Sequence, residues 1–210
     1  MSRYSAAALV LVGAAMSACA PDPEKERLEA TTRATYDPQT GRLQRLTYDS
    51  NKNGTIDTWT YMEGTRILRA EVDTNEDGKI DRWEIHGTGN TLEKIGFSRA
   101  DDGKADAWAF QRADGKIDRV EVSTKRDGAV DRWEWYVADA LARAEEDTNG
   151  DGKADKWETY AAGALETVAF DENNDAKPDR RLTYAAGALK LIETDPDAAG
   201  KYTKRITPTR

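Results

Sequence analysis

Along most of this chain apolar and polar residues alternate in short runs separated by Gly, Asp and Asn. Asp57, Trp59 and Tyr61 share one parity, as do Asp81, Trp83 and Ile85, and Asp131, Trp133 and Trp135. Other runs place Ala70 and Val72, Ile95 and Phe97, Val120 and Val122, and Val168 and Phe170 just ahead of the next Asp-rich stretch. A period of two is the spacing of side chains on one side of a β-strand, so these runs predict strands with one packed face. A turn signal stands at both ends of the run in four units: Gly152 is followed by Gly163, Gly54 by Gly64, Gly103 by Gly115, and Ala176 by Gly187. Turn signals at both ends mark hairpins in series.

The hairpins repeat. Gly54, Gly78, Gly103, Gly128, Gly152, Ala176 and Gly200 recur about every 24 residues, and after the first five a tryptophan follows five residues later: Trp59, Trp83, Trp108, Trp133 and Trp157. A fixed period of this length predicts a stack of small identical units. The expected fold is therefore all-β, an elongated antiparallel meander of about 14 strands. At about 4.8 Å per strand it would run about 65 Å. The layout resembles MORN-type β repeats. The tryptophan stripe is expected to be the packed core of the stack, with Tyr61, Tyr136, Tyr160 and Tyr184 nearer the surface. The alternative is an EF-hand- or dockerin-like series of loops and helices, for which the alanine-rich segment from Tyr136 to Glu146 is suited. Glycine interrupts most units, however, and Thr58, Trp59, Thr60 and Tyr61 prefer strands.

The turns carry the candidate chemistry. Calcium takes six to eight oxygens, and a loop with acids or amides at positions 1, 3 and 5, glycine at 6 and acids at 9 and 12 can wrap it. Two units have the whole set: Asp73, Asn75, Asp77, Asp81 and Glu84, and then Asp147, Asn149, Asp151, Asp155 and Glu158. Asp49, Asn51, Asn53 and Asp57 lack the final acid, where Thr60 stands; Asp171, Asn173, Asp175 and Asp179 have Ala176 for glycine and Leu182 at the end. Around Gly103 and Gly128 the set is broken, and Lys125 places an ammonium where a ligand belongs. These stretches resemble EF-hand-type loops and the calcium repeats of thrombospondin type 3 modules, a resemblance that implies Ca2+ and brings no fold with it. On a strand, Asp81 and Glu84 point to opposite faces; four side-chain ligands completed by backbone carbonyls and water are then the expected set. Asp-x-Asn-x-Asp-Gly is also plain turn chemistry.

The ends change the picture again. Arg3 and the apolar run Ser5 to Ala15 form a leader too short to span a bilayer. Met16-Ser17-Ala18-Cys19 resembles the lipobox of bacterial lipoproteins, which implies cleavage before Cys19 and lipidation of its thiol, with Ala20 matching the signal for the outer membrane. The expected organisation is a signal peptide at 1–18, a lipid-anchored tether at 19–32, a repeat domain at 33–200 and a basic tail at 201–210. Cys19 is the one cysteine, so the mature chain forms no intramolecular disulfide. The formal charge of −8 favours cations over nucleic acid as partners.

No enzyme signature stands out: His86 is the one histidine and the acids sit in repeated turns. The expected function is that of a lipid-anchored envelope scaffold or spacer with calcium-binding loops. The alternative is a recognition module that binds polysaccharide or another envelope protein along its elongated face.

Overall fold

A computed structural model of the chain describes residues 31–208. The leader, the lipidation site at Cys19 and all but the end of the tether lie outside the described residues. The strands are β1 Thr32–Tyr36, β2 Leu43–Tyr48, β3 Thr58–Glu63, β4 Arg66–Val72, β5 Arg82–His86, β6 Leu92–Phe97, β7 Ala107–Gln111 and β8 Ile117–Val122. They continue as β9 Arg132–Val137, β10 Ala140–Glu146, β11 Lys156–Ala161, β12 Ala164–Phe170, β13 Arg180–Ala185, β14 Ala188–Pro196 and β15 Tyr202–Ile206. All fifteen form one sheet in chain order, each antiparallel to the next. The fold is thus the predicted all-β meander with one strand more than expected. That strand comes from the basic stretch at 201–210, expected to be a tail: β15 pairs with β14 through Ile192↔Ile206 and Thr194↔Lys204.

The alanine-rich segment from Tyr136 to Glu146 is a hairpin rather than a helix. Ala138 and Asp139 both take positive φ, 50° and 63°, the signature of the two-residue turn whose twist matches the flanking strands. Pairing on both sides overrides the segment's helical propensity: Glu145 lies opposite Trp133 on one flank and Trp157 on the other. Ala162-Gly163 and Ala186-Gly187 make the same turn, again with both residues at positive φ.

Register decides which apolar positions share a face. Trp59 pairs with Glu71, which pairs with Trp83; the row continues through Gly96, Trp108, Glu121, Trp133, Glu145 and Trp157. The apolar residues of the return strands, including Ala70, Val120 and Val168, therefore lie on the opposite face from the tryptophans. This corrects the expectation of one packed face with a tryptophan core. The buried apolar side chains (Ala70, Ala107, Ala109, Val122, Ala144 and Val168) all belong to that opposite, aliphatic face. All six tryptophans are half-buried. Indoles meet only where β6 offers glycine: Trp83 and Trp108 approach to 6.5 Å, with Gly96 under Trp108. A Cβ at Gly96 would come within 2.8 Å of that ring, so Gly96 is a packing requirement.

Candidate functional site

Along one edge of the sheet, beside the shorter β14–β15 turn at 197–201, six nine-residue loops join the hairpins, at 49–57, 73–81, 98–106, 123–131, 147–155 and 171–179, and they share one backbone path. Position 4 is left-handed in every one: Lys52, Glu76, Asp101, Arg126, Gly150 and Asn174 have φ between 56° and 81°. Position 6 is also left-handed, from 80° to 96° at the five glycines and 65° at Ala176. For alanine that conformation costs about 1 kcal/mol, which the loop tolerates once.

Local hydrogen bonds explain the common path. In the fifth loop the Asp147 carboxylate accepts the amides of Gly150 at 2.6 Å, Asp151 at 3.2 Å and Gly152 at 2.7 Å. Burial would raise the pKa of Asp147, but these amides, with Lys125 nearby, hold it below the usual value. Asp49 and Asp171 accept the same three amides in their loops, and Asp73 accepts those of Asp77 and Gly78. The position-3 and position-5 oxygens of the four acid-rich loops repeat the device: Asn51, Asn75, Asn149 and Asn173 each accept an amide two residues on, as do Asn53, Asp77, Asp151 and Asp175. The position-9 carboxylate reaches back seven residues: Asp155 accepts the Thr148 amide at 3.1 Å and its hydroxyl at 2.8 Å, as Asp57 does from Ser50. Asp81 and Asp179 accept the position-2 amides of Thr74 and Glu172 at 2.7 Å.

The loops with broken oxygen sets fold the same way. Ser123 Oγ takes the place of the first carboxylate and accepts the amides of Asp127 and Gly128 at 3.2 Å. Asp131 accepts the amide and hydroxyl of Thr124. The loop path therefore follows from the position-9 aspartate and an acceptor at position 1, whether or not the remaining oxygens are present. Asp106 and Asp131, set aside with the broken loops, do this work; the signal was the aspartate three residues after each position-6 residue.

One loop shows a defect. Arg99 stands where Ser50, Thr124 and Thr148 supply a hydroxyl, and Asp106 Oδ2, in a residue only 5% exposed, has no hydrogen-bond partner. Arg99→Thr is expected to raise stability by about 1 kcal/mol, the worth of one restored hydrogen bond, read as a higher denaturant midpoint. An unchanged midpoint would show that this oxygen is already satisfied by solvent.

Successive loops are also tied to one another. The carbonyls of Asp57, Asp81, Asp106, Asp131 and Asp155 each accept the first amide of the next loop at 2.8 Å. Asn75 Nδ2 donates to Asp101 at 3.1 Å and Asn149 Nδ2 to Asn174 at 3.0 Å.

The position-12 acids stand elsewhere. Glu84 lies within β5 between Ala70 and Ile95, and its carboxylate pairs with Arg82 and His86. Glu158 lies within β11, where Arg132 at 2.7 Å, Lys156 at 2.9 Å and the Tyr160 hydroxyl at 2.8 Å surround it. Burial would raise its pKa, but these three partners hold it at about 2. Arg132 also binds Glu134 at 2.7 Å and Glu146 at 3.0 Å, giving a two-cation, three-carboxylate network on the aliphatic face. Tyr136 donates to Glu134, and burial together with that charge pushes its pKa up to about 12.

Among the described residues no three His, Cys, Asp or Glu side chains converge as a metal-binding group. A cation at the loop edge would have to be held by a mixture of carboxylate, asparagine and backbone oxygens. Each complete set already has an ammonium beside it: Lys79 Nζ sits 3.3 Å from Asp77 Oδ2, and Lys125 Nζ would lie 3.6 Å from a Cβ at Gly150. The outer oxygen of Asp77 is thus bridged, whereas Asp151 Oδ2 has no ion pair among the described residues.

No family model and no curated protein matches this chain. Among solved structures it is similar to an S. aureus TarM mutant in complex with fondaparinux, alpha-GlcNAc-glycerol and UDP, at 13% identity and TM-score 0.37, over 50% of this chain and 22% of that one. It is also similar to accessory secretory protein 1, 2 and 3 of Streptococcus pneumoniae, at 14% identity and TM-score 0.26, over 67% and 19% respectively. The chain spans about a fifth of the length of these structures, and similarity at this level carries no inference about activity.

Proposed function

We propose that the protein is a non-catalytic, lipid-anchored scaffold of the bacterial envelope whose loop edge takes up calcium. The observation that carries this reading is the row of six loops with one backbone path, each hydrogen-bonded to the next. Such a row multiplies any cation site along the molecule and makes the sheet a spacer of set length. The lipobox-like Met16 to Cys19 supplies the anchor and the outer membrane its place. Asp147, Asn149, Asp151 and Asp155 form the preferred site. The Asp73 loop is weaker because Lys79 must leave Asp77. The Asp49 and Asp171 loops are weaker again, the first with an amide at Asn53 and the second with Ala176 in a strained turn.

Calorimetric titration of the mature protein with calcium is expected to give dissociation constants of about 10⁻⁴–10⁻³ M, the range of extracellular modules. Saturation should raise stability by about 2.7 kcal/mol per site at 100 times the dissociation constant. Asp77→Ala with Asp151→Ala should remove most of that gain, and Lys125→Asn should tighten the Asp147 site. No heat at millimolar calcium, with melting indifferent to both calcium and chelator, would reduce the loops to turns.

A further inference from the structure

The tryptophan face carries a second periodic row, one pair of residues nearer the hairpin ends. Arg45 pairs with Tyr61, Tyr61 with Arg69, and the row continues through Ile85, Lys94, Phe110, Arg119, Trp135 and Arg143. Every even strand from β2 to β10 places one cation in it. Between them, three of the four odd strands place an aromatic ring.

The rings hold the cations in place. Arg69 lies 3.8 Å from the centre of Tyr61, Arg119 lies 4.3 Å from Phe110, and Arg143 lies 3.6 Å from Trp135. Lys94 lies 4.4 Å from Trp108 and 5.4 Å from Phe110. A guanidinium lying across a ring has five N–H donors, so one given to a neighbouring glutamate leaves others for an anion, and it loses little freedom when it meets one.

Charge points outward along this row. Arg69, Arg119 and Arg143 are paired with Glu71, Glu121 and Glu145, but the cations are the more exposed partners: 43% against 18%, 34% against 23%, and 49% against 29%. Arg45 and Lys94 have no carboxylate partner among the described residues; two positions on, where the other cations have Glu, stand Thr47 and Gly96. In a chain of formal charge −8 this ribbon of the sheet face thus carries five cations against three flanking, less exposed glutamates, a local excess of positive charge.

We infer that this ribbon binds a linear anionic polysaccharide lying across the strands. The spacing selects the ligand. Cations recur every second strand, about 9.6 Å apart, close to the length of one extended disaccharide. In a twofold, β-1,4-linked hexuronate chain successive carboxylates point to opposite sides, so one side offers one carboxylate per disaccharide. From β2 to β10 the ribbon spans about 38 Å, room for about four disaccharides. Single-stranded nucleic acid carries a phosphate on every nucleotide and matches this period less well. The inference is independent of calcium at the loops, because the ribbon lies on the sheet face.

The probe is sodium oligo-β-1,4-mannuronate of eight residues, titrated into the mature protein with EDTA present so that calcium cannot bridge. Neutral mannan oligomers and oligo-dT of equal charge serve as comparisons. Binding should exceed that of neutral mannan at least tenfold, weaken as salt rises, and fall at least tenfold in Arg69→Gln/Arg119→Gln/Arg143→Gln. Tyr61→Leu with Trp135→Leu should lower affinity while leaving all five cations in place. Lys153→Gln, on the loop edge, should change nothing, and circular dichroism should show each variant folded. Equal binding of neutral mannan, or a folded triple variant that binds like wild type, would overturn the proposal. Tighter binding of oligo-dT would assign the ribbon to nucleic acid and overturn it too.

Discussion

Replacing Arg132 with methionine is expected to destabilise the protein by about 3–5 kcal/mol, the cost of removing one partner from a buried ion network. Arg132 and Glu158 are only 16% and 10% exposed, and without the guanidinium Glu146 and Glu158 would share Lys156 while Glu134 would keep the Tyr136 hydroxyl but no cation. Urea denaturation at neutral pH measures the loss; a change below about 1 kcal/mol would show that the network is solvated and structurally idle. The same network sets an acid limb. Glu158 has a folded pKa of about 2 against a reference of 4.5, so its contribution is full above pH 4.5 and disappears as pH falls through 2. Glu158→Gln should flatten that limb. At the other end, Tyr136 contributes stability below pH 10 that is lost as pH rises through about 12.

The second large effect belongs to the loop edge. Asp155→Ala is expected to cost about 2–4 kcal/mol, because the Thr148 and Asn149 amides and the Thr148 hydroxyl lose their acceptor where the carboxylate is buried. Measured in EDTA, the loss is independent of any ion. Asp151→Ala under the same conditions should cost less than about 1 kcal/mol, since Asp151 is exposed and accepts one amide, that of Lys153. With calcium present the order of importance should narrow, as Asp151 then loses a ligand. Equal losses for the two variants in EDTA would contradict the distinct roles assigned to positions 5 and 9.

Much of this was legible along the chain. The period of two, the second turn at Gly163 or Gly187 and the 24-residue recurrence are local properties, so strands, hairpins and their serial order follow from residues close in sequence. The loop oxygens were legible as residue types, and their dual capacity, for turn or for cation, was legible with them. The basic row was also present as a spacing, since Arg45, Arg69, Lys94, Arg119 and Arg143 fall 24 or 25 residues apart. It escapes notice because single cations between apolar residues look like ordinary solvated positions.

Register, in contrast, belongs to the assembled sheet. Alternation assigns Trp59 and Tyr61 to one side of β3 and Ala70 and Val72 to one side of β4, but it cannot say whether the two sides coincide. Pairing Trp59 with Glu71 puts them on opposite faces, and a one-residue slip would have joined them. That phase moved the core from the indoles to Ala107, Val122 and Ala144 and left the tryptophans half-buried. It also gathered Arg132, Glu146 and Glu158 from three strands. Contacts of this kind join residues 14 and 26 positions apart, and only the hydrogen-bonded sheet brings them within 3 Å.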